Sequence, residues 1–310
     1  DYTEYYQGTQ NTNAQLEVLE SFMKKKGSIK PEIQKLIDDI YQIEKSFKAE
    51  TNSVRKAKME ESLKDKLRQI LGFTEVLDAL NEWTKEDYYK SRIEKNDSII
   101  TEPVLREWLT ASLIFSNFEY TRIPMSDTYQ QIFNERVSNP FLRDKLLKIN
   151  DYYTEIQSGK VEHEESVKNL GNLSGEGEEI FRQLVEPYRG KVIYLDVWGT
   201  WCGPCREQMK HVREIEERLA DKDIIFMYLA NNSPETTWRN FIKELNLTGE
   251  NIVHYRLTSA NQQAVEAKLK IHAYPSYFII DREGKMVNDN PSPPEERDRL
   301  IGELEKILGK

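Results

Sequence analysis

The sequence predicts an all-α N-terminal half followed by an α/β half, in which helices flank a central mixed sheet. Three observations carry this. The chain has 310 residues, room for about two domains at roughly 150 residues each. Three glycines and four prolines precede residue 158, whereas eleven and seven follow it. Gly and Pro are the costliest residues in a helix, so the first stretch favours helices. Beyond residue 177, apolar β-branched runs alternate with helical segments of about 10–15 residues, the pattern of a sheet covered by helices.

Composition removes several functions. The balance of 44 basic against 53 acidic residues gives a net charge of −9. A nucleic-acid binder carries a basic footprint instead. No run approaches the ~18 consecutive apolar residues of a membrane span. The two cysteines stand in one tetrapeptide, Cys202-Gly203-Pro204-Cys205. That excludes a disulfide-scaffold fold and a four-thiolate zinc site within the chain, so no metal and no cofactor beyond the cysteine pair is expected. No Gly-x-x-x-x-Gly-Lys-Ser/Thr phosphate loop occurs. The chain starts at Asp1 rather than Met, which reads as a mature or trimmed chain after removal of a signal peptide or lipid anchor.

Residues 1–12 are polar and read as a frayed end. Pro31 suits a first helical turn, and Ile33, Leu36, Ile37, Ile40 and Ile43 recur at helical steps. Leu63, Leu67, Ile70 and Leu71 repeat the pattern. The Lys/Glu-rich run 44–68 reads as a solvated helix face, with a partner-binding coiled coil as the alternative. Further helices are expected over Val104–Phe118, Thr128–Val137 and Pro140–Gln157. The aromatics Tyr88, Tyr89, Trp108, Phe115, Phe118, Tyr120, Tyr129, Phe133, Phe141, Tyr152 and Tyr153 read mostly as helix–helix core. A minority would line a peptide groove, because Tyr and Trp are enriched at interfaces.

Residues 158–177 are rich in Gly, Ser and Glu and read as a linker between a helical domain, 1–157, and an α/β domain, 178–310. His163, inside this segment, reads as a solvent-exposed residue rather than a ligand. Glu178–Tyr188 is a short amphipathic helix. Lys191–Trp198, Ile224–Ala230, Ile252–Leu257 and Ser276–Ile280 are strands, and residues 281–284 turn into Lys285–Val287. Pro204–Ala220, Pro234–Leu247, Asn261–Leu269 and Pro294–Leu308 are helices, the second with Ser233 as its cap and Pro234 at its first position.

The chemistry sits in the block Asp196-Val197-Trp198-Gly199-Thr200-Trp201-Cys202-Gly203-Pro204-Cys205. A strand ends, a short loop follows, and Cys202 opens the next helix. Free amides and the dipole at a helix N-terminus stabilise an anion, so a Cys202 thiolate is favoured there. A thiol at about 8.5 is roughly 3% ionised at pH 7, whereas one at about 7 is half ionised. The thiolate is the species that attacks a disulfide. Two intervening residues let Cys205 reach the same sulfur within one turn, and Pro204 is tolerated where its missing N–H costs nothing. Half a zinc site or an inert disulfide are the alternatives. The first lacks partners, and the second does not need a strand–helix junction.

This block resembles the thioredoxin superfamily, whose Trp-Cys-Gly-Pro-Cys motif stands intact at 201–205, followed in family order by Tyr274-Pro275 before the strand SYFIID. It looks most like the extracytoplasmic TlpA/ResA-like branch, over about residues 178–310. The resemblance implies a thioredoxin-like fold for that half. It implies Cys202 as nucleophile, Cys205 as resolving cysteine and Asp196 as a buried acid exchanging a proton with the resolving thiol. Pro275 would be the cis-proline facing the disulfide. Trp201, Gly203, Pro204 and Tyr274 would form the surface that meets substrate, with Trp198 packed beneath. A carboxyl between Leu195 and Val197 on an apolar strand is desolvated and should titrate high. Arg206 and Lys210 read as solvated helix residues. Tyr274 stands where many thioredoxins carry a smaller β-branched residue, and the hairpin that usually opens a TlpA-like domain is replaced by Glu178–Tyr188. Glu235, Glu244 and Glu250 lie in an extra segment, 231–273, and the sequence singles out none of them.

The expected function is a protein-disulfide reductase with Gly-Pro between its cysteines, the dipeptide of reductive thioredoxins. It would act on disulfides of exported proteins, outside the cytoplasmic membrane or in a periplasm, with an external electron-donor protein and a membrane tether from a removed N-terminal segment. The alternative is a partner-binding or chaperone-like module, its helical half docking a client through the Trp108–Phe133 aromatics. A thiol peroxidase fits less well, because the motif suits disulfide exchange.

Overall fold

The computed structural model describes residues 20–21, 23–24, 27, 29–71, 73–170 and 173–309. The frayed end expected over 1–12 and the side chains of Tyr88 and Tyr89 lie outside the described residues. Two compact units form, Asp1–Tyr88 and Tyr89–Lys310.

In the first unit, α1 (Pro31–Ala49) begins with Pro31 in its first turn and buries Ile33, Ile37 and Ile40. These meet Ile70 of α2 (Ser53–Leu71) and Val76 and Ala79 at the start of α3 (Thr74–Ile99). The apolar spacing predicted this stripe. The charged run 44–68 covers the end of α1 and most of α2, broken at residues 50–52. The sequence reading did not include α3. Its central stretch lacks the apolar three–four repeat that marked α1.

The second unit holds α4 (Pro103–Thr121), α5 (Asp127–Arg136) and α6 (Pro140–Ser158), and then the sheet. Ser126 caps α5 and Asn139 caps α6, each accepting from backbone amides of the first turn. Of the aromatics read mostly as core, only Phe118, Tyr129, Phe133 and Tyr153 are buried between these helices, fewer than that reading expected. Trp108, Phe115, Tyr120, Phe141 and Tyr152 are exposed.

A six-stranded sheet follows in the order β1-β4-β3-β2-β5-β6. Its strands are β1 (Val167–Leu170), β2 (Val192–Trp198), β3 (Ile224–Ala230), β4 (Ile252–Leu257), β5 (Ser276–Ile280) and β6 (Met286–Asn288). The first four in the order are parallel, β5 runs antiparallel to β2, and β6 runs antiparallel to β5. Helices α7 (Gly177–Val185) and α10 (Ser259–Leu269) cover one face. Helices α8 (Gly203–Arg218), α9 (Glu235–Glu244) and α11 (Arg297–Leu308) cover the other. Every residue of β2, β3 and β4 is buried, the mark of strands covered on both faces.

Two local expectations change. Within 158–177, the stretch read as linker, Val167–Leu170 pairs in parallel with His254–Leu257 and becomes an edge strand. Four residues with one buried side chain leave no periodic signal to read. Ser233 does not cap α9, since Pro234 holds the cap position. Its hydroxyl instead accepts from the Thr200 amide at 3.0 Å and donates to the Asn231 carbonyl at 2.9 Å.

Helix α4 is tied to the sheet's helices. Arg122 Nε meets Glu244 Oε2 at 2.9 Å, Asn240 Nδ2 donates to the Arg122 carbonyl at 2.7 Å, and Arg206 of α8 donates to the Glu119 carbonyl at 2.6 Å. Arg206, expected to be solvated, is thus half-buried and lies 5.5 Å over the Tyr120 ring.

Candidate active site

Cys202 occupies the N-cap of α8 in extended conformation, and its Sγ accepts the Cys205 amide at 3.1 Å. The helix therefore already aims an N–H and its positive end at this sulfur. Cys202 and Cys205 are joined by a disulfide and are 5% and 1% exposed. A Cβ added to Gly203 would meet nothing within 4 Å, so the space beside Gly203 is open. Pro204 sits in the first turn of α8, as expected.

Two aromatic side chains meet at the Cys202 loop. Trp201, 48% exposed, donates its indole N–H to the Asn231 carbonyl at 3.1 Å. Tyr274 meets the Trp201 ring edge to face with centroids 5.2 Å apart. The Tyr274–Pro275 peptide is cis. Ser276, next in the chain, pairs with Val197, so this loop ends beside the end of β2 from which the Cys202 loop leaves. Glu266 of α10 accepts three hydrogen bonds on one oxygen: Tyr274 Oη at 2.5 Å, Gln262 Nε2 at 2.6 Å and Asn231 Nδ2 at 2.7 Å.

The chain is similar to known proteins over its C-terminal part. Residues 174–305 match the redoxin family. The C-terminal region is a redoxin domain of the thioredoxin superfamily. It is similar to the thiol-disulfide oxidoreductase ResA of Bacillus cereus, 26% identical over 119 residues, which is 38% of this chain and 65% of that protein. The thioredoxin-like protein YneN of Bacillus subtilis is 24% identical over 183 residues, 58% of this chain and 87% of that one. A solution structure of a thiol:disulfide interchange protein from Bacteroides sp. superposes with a TM-score of 0.36 at 22% identity, over 41% of this chain and 78% of the other.

On the sheet face under α8, the redoxin domain buries several polar groups, from Asp196 on β2 to Glu216 in the last turn of α8. Asp196 is 1% exposed, and its Oδ1 finds no hydrogen-bond partner among the described residues. Burial pushes its carboxyl well above the ordinary range, as its place on an apolar strand predicted. Asp196 lies in register with Tyr228 of β3 and Tyr277 of β5. The Tyr228 hydroxyl donates to Glu216 Oε1 of α8 at 2.6 Å. Burial raises Glu216 to about 7, against the opposing pull of that hydrogen bond. His254 stacks on the Tyr228 ring at 4.7 Å and donates Nε2–H to the Leu247 carbonyl at 2.6 Å. Burial lowers it to about 4, so it is neutral near pH 7. Trp198 is fully buried against Phe241.

Four positions of the redoxin domain escaped the sequence reading. Glu216 lies on the apolar stripe Cys205, Met209, Val212, Leu219, whose periodicity would have placed it inward. Gly199 is required because a Cβ there would lie 2.5 Å from the Trp201 indole nitrogen. Asn231 left no local signal, since it meets Trp201 and Glu266 across 30 and 35 residues, and Glu266 meets Tyr274 only where α10 ends and the chain turns into the next loop. Of the acids named from sequence, Glu244 pairs with Arg122 and Glu235 with Arg239, and neither pair includes a residue of the disulfide loop. Glu250 sits in the turn before β4.

Proposed function

We propose that this protein is a thiol–disulfide oxidoreductase that reduces disulfides of exported proteins through Cys202 and Cys205. The supporting observation is a Cys202–Cys205 disulfide whose Cys202 sulfur caps a helix, next in the chain to Trp201, which packs on Tyr274 of the cis Tyr274–Pro275 peptide. In the reduced form, the Cys202 thiolate attacks one sulfur of a substrate disulfide. A mixed disulfide forms and the other substrate sulfur leaves as thiolate. Burial makes Asp196 a stronger base than an ordinary carboxylate, so its ionised form takes the Cys205 proton. The Cys205 sulfur then attacks Cys202 Sγ, closes the internal disulfide and releases the second substrate sulfur. Two electrons pass from the dithiol to the substrate, and a donor protein restores them. Gly203 and Pro204 keep the approach low, while Trp201 and Tyr274 bound it.

The similarity to ResA and the TlpA/ResA-like reading of the motif support an extracytoplasmic setting. Among the described residues no helix is long and apolar enough to cross a membrane, so any tether lies outside those helices.

The test is insulin reduction with dithiothreitol as donor. Wild type should turn over, Cys202→Ser should lose essentially all activity, and Cys205→Ser should accumulate a mixed disulfide. Activity that survives Cys202→Ser overturns the proposal. A potential near the −120 mV of strong oxidases would reverse the direction of electron flow.

A second reading has one observation in its favour. Leu105, Trp108 and Phe115 are exposed on α4 at helical spacing. In that reading the helical segment docks a client and the dithiol is secondary. Substituting Trp108 and Phe115 with Ser would then abolish client binding while insulin reduction persists.

A further inference from the structure

We propose that Glu266 is a positioning residue of the redox site. Its carboxylate holds Asn231 and Tyr274 together, and through them it sets the Trp201 indole and the Tyr274 ring as the wall against which a substrate chain lies. This rests on the redox reading of Cys202 and extends it to a residue far from the motif.

The argument is a closed circuit of contacts. Trp201 donates to the Asn231 backbone carbonyl, and the Asn231 side chain donates to Glu266. Tyr274 donates to the same Glu266 oxygen, and its ring returns to the Trp201 ring. Three otherwise separate segments thus meet at one oxygen: the loop after β3, the last turns of α10 and the loop before β5. Gln262, one turn earlier on α10, supplies the third donor and braces the carboxylate from its own helix. A carboxylate is the acceptor suited to this load, because its oxygens accept several bonds and charge-assisted bonds are the stronger kind. Burial, with the Glu266 bond adding to it, pushes the Tyr274 hydroxyl well up, so it stays a donor throughout the working pH range.

The circuit explains the one departure from the family pattern at the substrate loop. Without the Glu266 bond, the Tyr274 hydroxyl would lose the anchor that fixes its ring against Trp201. Anchored at its hydroxyl, the tyrosine stands beside Trp201, and the two rings present an apolar surface next to the reacting sulfur. An edge-to-face aromatic pair has a defined geometry, so the wall is rigid once both ends are tied. A protein disulfide has flanking residues to lay against that wall. A free small disulfide does not.

The experiment compares insulin with cystine as substrates. Glu266→Ala should raise KM for insulin about five-fold or more with kcat changed less than about twofold, and should change cystine reduction less than about twofold. Glu266→Gln keeps an acceptor oxygen and should restore most of the insulin KM. Tyr274→Phe removes one bond and keeps the ring, and should raise the insulin KM about twofold to fivefold. Acrylamide quenching of Trp201, read as the difference from Trp201→Phe, should increase in Glu266→Ala. An unchanged insulin KM and unchanged quenching overturn the inference, as does an equal loss of kcat on both substrates, which would mark a purely structural role. If Glu266→Ala does not fold, Tyr274→Phe decides, and an unchanged KM overturns the inference. If wild type reduces neither substrate, the redox reading fails, and the quenching result still decides whether Glu266 holds Trp201.

Discussion

The two faces of the sheet are built from the same strands and differ in kind. On the face under α7 and α10, Ile193, Leu195, Val197, Ile225, Met227, Leu229, Val253 and Phe278 pack with Ile180, Leu184 and Val265. The polar exception there, Tyr255, has its hydroxyl 3.1 Å from that of Tyr188. The other face alternates with it residue by residue along β2, placing Val192, Tyr194, Asp196 and Trp198 under the redox helix. There Asp196 Oδ1, Glu216 Oε2, the Tyr194 and Tyr277 hydroxyls and the Trp198 indole are buried without a hydrogen-bond partner among the described residues. Buried polar groups without partners cost stability. The apolar face holds the sheet together, and the face under α8 gives up part of that stability by burying ionisable groups.

The largest effect is expected from breaking the apolar face. Phe278→Ala removes a buried ring opposite Leu195 and should cost about 3–5 kcal/mol in urea denaturation. A loss under about 1 kcal/mol would mean that this face is loosely packed and that the contrast is wrong.

The next effect belongs to the polar face and carries a pH signature. Glu216 rises in the folded protein from 4.5 to about 7. The native state then holds a proton that the unfolded chain loses, so stability falls as pH rises through this window. At about 1.4 kcal/mol per pH unit, the loss reaches about 3 kcal/mol by pH 7. Asp196 shifts in the same direction. His254 works the other way: its value falls from 6.5 to about 4, so its share of stability is present above pH 6.5 and is lost as pH falls toward 4. The difference between wild type and Glu216→Gln isolates the Glu216 share, since the amide oxygen still accepts from Tyr228. The variant should gain on wild type from pH 5 to pH 8, by up to about 3 kcal/mol. A constant difference across that range would show that Glu216 does not titrate there.

The smallest effect is steric and sits at the mouth of the site. Gly199→Ala places a Cβ 2.5 Å from the Trp201 nitrogen and 3.1 Å from the Asn231 carbonyl, the two atoms that Trp201 joins. Overpacking of this kind costs about 1–3 kcal/mol. Trp201 fluorescence should shift as the indole leaves Asn231. An unaltered spectrum with unaltered stability would show that the wall is compliant.

Legibility follows the range of the interaction. The strands Ile224–Ala230, Ile252–Leu257 and Ser276–Ile280 were readable to the residue, because continuous apolar runs are local signals. The place of Cys202 at a helix start was readable for the same reason. Strand β1 was not, being four residues paired with a partner more than eighty positions away. Nor was the union of α4–α6 with the sheet in one compact unit, which rests on side chains such as Arg122 and Asn240 reaching across the fold.

The sequence by itself determined the reactive pair, the strand-to-helix junction that presents it and the apolar character of the strand carrying Asp196. Each depends on residues within about ten positions of one another. Only the tertiary structure decided that Glu216 is buried enough to hold a proton near neutrality. It alone brought Asn231, Glu266 and Tyr274 to one oxygen beside Trp201. Desolvation and shared acceptors depend on which segments meet, and that is settled when the sheet and its helices pack.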